Sequence, residues 1–146
     1  MRGNLPPKST SVADSVRNAA IPSLDTRDER VLRSRLHSLG LRFRLHCRVV
    51  PGTKRSVDIV FPTARVAVFV DGCFWHRCPI HYRPPKGNAA WWEDKIGRNV
   101  VRDLDTTARL EEVGWHVIRV WSHEPVEEAA LRIYAKVRSR ARAARK

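Results

Sequence analysis

From about residue 23 onward, apolar and polar positions alternate between two periods, and the switch points fall at Gly and Pro residues. Asp25 and Thr26 are N-cap residue types, and Glu29 falls in the first turn of the helix they would cap. Val31, Leu32, Leu36 and Leu39 follow at helical spacing, and Gly40 predicts the stop. Leu41 to Val49 then alternates, with Leu41, Phe43 and Leu45 expected inward and Arg42, Arg44 and His46 outward, which predicts a strand. Pro51-Gly52 predicts a turn. Ser56 to Phe61 predicts a second strand and Arg65 to Asp71 a third. The third is almost wholly apolar, as expected of a central strand buried on both faces. Ala89 to Val113 predicts a long helix with Trp92, Ile96, Val100 and Leu104 on one stripe, ended by Gly114. Trp115 to Trp121 alternates as a fourth strand, and Pro125 starts a last helix running to about Arg142.

The predicted order is α-β-β-β-α-β-α, an α/β fold with a mixed sheet flanked by helices. Residues 23–146 read as a single domain. Residues 1–22 carry Pro6, Pro7, Pro22 and a Ser/Thr cluster without periodicity, which predicts a flexible N-terminal arm.

Charge narrows the class of partner. The 146 residues hold 28 Lys and Arg against 15 Asp and Glu, a formal charge of +13. A domain of that size and sign attracts polyanions, and nucleic acid is the usual one. The fifteen residues from Arg132 to Lys146 hold seven basic groups and no acid, so the last helix reads either as a phosphate-gripping surface or as a solvated face. The longest apolar run, Val66 to Val70, is far too short for a membrane span. No apolar leader stands at the start, and the expected compartment is the cytoplasm.

Chemistry concentrates between the third strand and the long helix. Cys73, Cys78 and His81 place three zinc-type ligands within nine residues, and His123 past the fourth strand offers a fourth. Such a set suits a closed, tetrahedral structural Zn2+ site. Two buried thiols and two surface histidines are the alternative. Cys47 reads as a small buried side chain. Asp58 sits inside an apolar strand, where a carboxylate is costly unless it is paired, hydrogen-bonded or holding a metal. Asp71 ends the next strand, so two neighbouring strands could present carboxylates to Mg2+ for phosphodiester cleavage. His76 follows in the loop, where it could move a proton, and Glu29 could add a supporting carboxylate. Taken singly, Asp58 could be salt-bridged to Lys54 or Arg55, Asp71 a turn residue, Glu29 a solvated helix-start acid, and His76 a surface residue or rival zinc ligand. Phe74-Trp75 lies in an irregular loop and Trp91-Trp92 opens the long helix, where aromatic side chains serve either the core or a wedge between base pairs. Trp115 and Trp121 alternate with strand period and read as core.

These residues carry a family resemblance. Val66-Ala67-Val68-Phe69-Val70-Asp71-Gly72-Cys73-Phe74-Trp75-His76-Arg77-Cys78-Pro79-Ile80-His81 resembles the signature of the very short patch repair (Vsr) DNA mismatch endonucleases. So do Trp92-Glu93-Asp94-Lys95-Ile96, with Asn99 and Arg102-Asp103 downstream, and Gly114 to Trp121 followed by Ser122-His123-Glu124. Asp25 to Glu29 and Leu39 to Arg44 are similar to the family's opening helix and strand. The turn before Asp58 is longer than the family's usual Pro-Gly-Arg-Pro-Asp, and residues 14–24 lack the usual basic segment.

The resemblance implies a restriction-endonuclease-like fold with structural Zn2+ and catalytic Mg2+. It implies nicking of one strand of double-stranded DNA, 5′ to the T of a T:G mismatch left by deamination of 5-methylcytosine. Under it, Asp58 matches the metal-binding catalytic aspartate, with the Val70 carbonyl as a further Mg2+ ligand. His76 matches the catalytic histidine and Glu29 the helix glutamate that supports the site, while Asp71 falls where relatives place a His or an acid near the active site. Cys73, Cys78, His81 and His123 match the zinc positions, and Phe74, Trp75 and Trp92 the aromatics that intercalate beside the mismatch. The expected enzyme is a monomer, cytoplasmic and nucleoid-associated when on DNA, with no membrane partner. The competing expectations are a zinc-stabilised DNA-binding module without catalysis, and a nuclease of the same fold acting on another lesion.

Overall fold

The computed structural model describes residues 26–73, 76–84 and 86–145. The proposed N-terminal arm, Asp25, Phe74 and Trp75 lie outside the described residues. The elements among the described residues are α1 (Arg27–Ser38), β1 (Arg44–Cys47), β2 (Val57–Phe61), β3 (Val66–Asp71), α2 (Ala89–Glu112), β4 (His116–Trp121) and α3 (Val126–Ala144). That order is the one the periodicity predicts. The strands form a mixed sheet in the order β1-β2-β3-β4, antiparallel except for the parallel β3–β4 pair.

The helix limits follow from local chemistry. The Thr26 hydroxyl accepts the Glu29 N–H at 3.3 Å, which satisfies one of the donors that every helix start leaves free. Gly40 and Gly114 both adopt the left-handed backbone, at φ +87° and +92°. At each, two N–H groups reach back into the last turn: Gly40 to His37 O and Leu41 to Leu36 O, Gly114 to Glu111 O and Trp115 to Leu110 O. Both helices therefore end in the same glycine-dependent motif, with Leu41 closing over Leu36 in the first core.

Apolar side chains on the two faces of the sheet build two cores. Leu32 and Leu36 of α1 and Ala129, Ala130, Ile133 and Val137 of α3 pack on Ile59, Phe61, Val66, Val68, Ile118 and Val120. On the opposite face, Leu110 of α2 packs with Val50, Val57, Val60, Ala67 and Phe69. Each large side chain fully buried in this way contributes about 1.5–3 kcal/mol. β3 is buried on both faces as expected, Val66 and Val68 facing the first core and Ala67 and Phe69 the second. By the same alternation Asp71 emerges at the C-terminal end of β3 on the α2 side.

Expectations for β1, α1 and α2 are corrected. β1 is shorter than predicted, Leu45 is 39% exposed, and His46 turns toward α1 rather than outward. Val31 is exposed. The buried stripe of α2 does not run through Leu104, which is 68% exposed, but through Trp92, Ile96, Asn99, Thr106 and Leu110. With the half-buried Asp103, that stripe advances by alternate steps of four and three residues. Its middle is polar because it faces a cleft rather than a core. The basic last helix is partly committed to structure, since Arg140 donates to the carbonyls of Ala64 and Gly114 at 2.7 Å each.

Candidate active site

A cleft of about 350 Å³ opens where the C-terminal end of β3 meets the middle of α2, and Asp58, Val70, Asp71, His76, Asp103 and Arg119 are among the residues lining it. Asp58 is delivered by β2. Its Oδ2 accepts the Val70 N–H at 2.8 Å, across the antiparallel pair. Arg55 does not pair with it; that guanidinium is taken by Asp105 at 2.6 Å and Thr106 at 3.0 Å. Burial pushes the Asp58 carboxyl above the usual carboxylate range, the Val70 bond pulls against it, and the charge on Asp71 adds to the rise. A carboxylate kept costly in this way is relieved by a cation.

Asp71 is a buried site residue and not a turn residue. Both of its oxygens accept from Arg119 Nη1 at 3.1 Å, and His76 Nδ1 stands 3.8 Å from Oδ1. Burial raises the Asp71 carboxyl, against the pull of His76 and Arg119. His76 is hydrogen-bonded through Nδ1 to Asp103 Oδ2 of α2. Burial works against the His76 imidazolium, but the Asp103 bond and the Asp71 charge outweigh it and hold the ring above its ordinary value. The carboxylate fixes the ring's orientation and leaves Nε2 as the nitrogen it does not engage.

Arg119 joins these parts. It stacks over Phe69 at 4.3 Å, donates to Asp103 O at 3.0 Å and Thr107 Oγ1 at 3.2 Å, and grips Asp71. Removing one member of a buried pair leaves its partner uncompensated. Arg119→Leu is expected to cost about 3 kcal/mol of stability, read from the denaturant midpoint. The double variant with Asp71→Leu should recover part of that loss; full additivity of the two would show that the pair is not coupled.

The Cys73–His81 loop carries the second constellation. Ligand atoms of Cys73, Cys78, His81 and His123 all lie within 4.8 Å of one another. Cys73 Sγ is 3.2 Å and Cys78 Sγ 3.6 Å from His123 Nδ1, and Cys78 Sγ is 3.9 Å from His81 Nδ1. The edges of a tetrahedron with zinc–sulfur and zinc–nitrogen bonds of ordinary length are about 3.3–3.8 Å, so the four donors fit such an ion. Burial disfavours the Cys78 thiolate, but N–H groups of His81 and Ile80 overcome it and draw that thiol below its ordinary value. His123 reaches the loop because β4 runs parallel to β3 with Asp71 opposite Trp121, and the Ser122 N–H bonds to Asp71 O. His76 is held by Asp103 and stands outside this group.

Glu29 is not a solvated helix-start acid: it is 2% exposed, and His46 Nε2 approaches its Oε1 at 3.3 Å. Glu29, His46 and Asp58 form a second group of possible metal ligands. Trp92 is 7% exposed in the first turn of α2, edge-on to Trp91 at 4.8 Å. Cys47 is half-buried beside the second core. The sequence reading assigned no role to Asp103, Arg119 or His46. For Asp103 the signal was present in the four-three spacing of α2; for Arg119 and His46 it was not.

The family model described as "DNA mismatch endonuclease Vsr" matches residues 10–81. The type II nicking enzyme V.NaeI of Lentzea aerocolonigenes is 47% identical over 106 residues, covering 71% of this chain and 64% of that protein. The type II nicking enzyme V.XorIIP of Xanthomonas oryzae pv. oryzae is 45% identical over 113 residues, covering 76% of this chain and 80% of that protein. The DNA mismatch endonuclease Vsr of Escherichia coli is 39% identical over 103 residues, covering 70% of this chain and 64% of that protein. The chain thus spans slightly less than two thirds of the length of the first and third of these relatives.

Proposed function

The chain belongs to the Vsr family of DNA mismatch endonucleases, and from that premise we propose that it nicks one strand of duplex DNA on the 5′ side of the T in a T:G mismatch. The observation that carries this reading is the cleft itself. A costly buried carboxylate, Asp58, shares it with a carboxylate-oriented histidine, His76, beside a zinc-type loop. The word "nicking" in the names of the Lentzea and Xanthomonas relatives supports a single-strand cut. No helix among the described residues is long and apolar enough to cross a membrane.

Residues 23–146 are read as one endonuclease domain, restriction-endonuclease-like in fold, acting as a cytoplasmic monomer that joins the nucleoid when on DNA. Asp58 and the Val70 carbonyl would hold Mg2+, supported by Glu29. A divalent cation bound there would supply charge neutralisation at the scissile phosphate. His76 moves a proton to or from water or the leaving oxygen, Asp103 orients it, and Asp71 with Arg119 fixes the floor of the cleft. Cys73, Cys78, His81 and His123 would hold Zn2+, and four protein ligands would leave no position open for water and restrict zinc to a structural task. Phe74, Trp75 and Trp92 would enter beside the mismatch, where unstacking costs least. Trp92 is buried, so its share of that role requires the start of α2 to shift on binding DNA.

The test uses end-labelled duplexes with one T:G mismatch or the matched T:A pair, and zinc-loaded protein with or without added Mg2+. The expected product is one nick beside the mismatched T, seen only with Mg2+. Tight binding without a nick across varied flanking sequences, or nicking confined to another lesion, overturns the proposal. Asp103 is a positioning residue in this scheme. Asp103→Asn is expected to slow nicking about 10–100-fold while DNA binding is unchanged, checked by single-turnover rates beside a binding isotherm. Equal losses in both would assign Asp103 to structure alone.

A further inference from the structure

We propose that His46 is a nitrogen ligand in the cation site, so that Glu29, His46 and Asp58 form a mixed carboxylate–imidazole set favouring Mn2+ over Mg2+. The inference rests on the reading of Asp58 as the metal carboxylate. His46 stands opposite Asp58 in the β1–β2 register, between the paired positions Leu45↔Ile59 and Cys47↔Val57. Its backbone is at φ +50°, an uncommon conformation for a residue with a Cβ, and the sequence alternation would have pointed the ring away from α1. Instead Nε2 lies 3.3 Å from Glu29 Oε1, and ligand atoms of Glu29, His46 and Asp58 all fall within 4.8 Å of one another.

One distance marks this as a ligand set. Adjacent ligands of an octahedral ion at about 2.1 Å lie about 3.0 Å apart, close to the Nε2–Oε1 separation. Magnesium prefers oxygen donors and keeps its waters, whereas an imidazole nitrogen suits first-row transition ions. A site with one histidine therefore gains affinity for Mn2+ without a matching gain for Mg2+.

The probe is Mn2+ itself, titrated onto the zinc-loaded full chain and followed by electron paramagnetic resonance. Continuous-wave spectra give the uptake, and pulsed spectra report a directly bound imidazole nitrogen. Wild type is expected to take up Mn2+ with a nitrogen coupling. His46→Gln, which can still hydrogen-bond Glu29, should lose that coupling and bind Mn2+ about tenfold more weakly, with Mg2+ competition little changed. His76→Gln should keep the coupling. A coupling that survives His46→Gln, or Mn2+ uptake with no nitrogen coupling in wild type, overturns the role of His46 alone. Undiminished uptake by Asp58→Asn overturns the underlying assignment of the metal carboxylate.

Discussion

Asp58→Asn is expected to reduce nicking at least about a thousandfold while leaving the fold intact, and it should not lower the melting temperature. The two halves of that result have one cause. Burial is the largest influence on the Asp58 carboxyl: it accepts the Val70 N–H and feels the charges of His46 and His76, while the charge of Asp71 opposes its own. Its carboxyl is raised in the folded chain, so at neutral pH the ionised form is more costly folded than unfolded. Asparagine keeps an oxygen for Val70 and removes the charge. Without added Mg2+ the zinc-loaded variant should therefore be more stable than wild type, by an amount on the order of 1 kcal/mol. Calorimetry of the zinc-loaded protein without added Mg2+, beside a nicking assay in Mg2+, reads both. A variant that nicks at a tenth of the wild-type rate, or that melts well below wild type, would make Asp58 a structural residue and leave the cation elsewhere.

The contrast with Arg119 separates sites built for function from sites built for stability. Both residues meet the same cleft, but Arg119 satisfies its neighbours and Asp58 does not. Loss of the first is expected to loosen the molecule; loss of the second should tighten it. Natural active sites hold such local costs, which the remainder of the fold offsets.

How much of this was legible in the chain depended on range. The helix stops at Gly40 and Gly114 could be read because each is a local steric fact: a left-handed residue next to a turn of unsatisfied carbonyls. The order of the elements followed from periodicity. The stripe of α2 was misread past Ile96, because Val100 and Leu104 are apolar while the residues that face inward, Asn99, Asp103 and Thr106, are polar. Hydrophobicity marks a core-facing side and fails where a helix faces a charged cleft. His46 was missed for a related reason. Strict alternation placed it outward, and only the φ of +50° turns it to Glu29. Cys73, Cys78 and His81 are close in sequence and were visible as a group. That His123 completes it depends on the parallel register of β3 and β4, which sequence spacing does not contain.

That register also determines what removal of zinc should do. A chelator strong enough to strip the Cys73–Cys78–His81–His123 group is expected to lower the melting temperature by about 10 °C or more and to abolish nicking. The loop has few other means to order itself. Among the described residues its backbone is held by short-range bonds, His76 N–H to Gly72 O, Cys78 N–H to Cys73 O and Tyr82 N–H to Cys78 O. Closing the loop on His123 ties it to the end of β4, and His76 lies between the two cysteines. Loss of the ion should therefore release His76 from Asp103. Stripping followed by Co2+ gives a readout independent of activity, because two thiolates and two imidazoles around that ion produce the intense visible bands of a tetrahedral site. Restored melting with those bands is the expected result. Protein that contains no zinc by elemental analysis, melts unchanged in chelator and develops no such bands would show that the four side chains cluster without a metal, and that the order of the loop comes from packing instead.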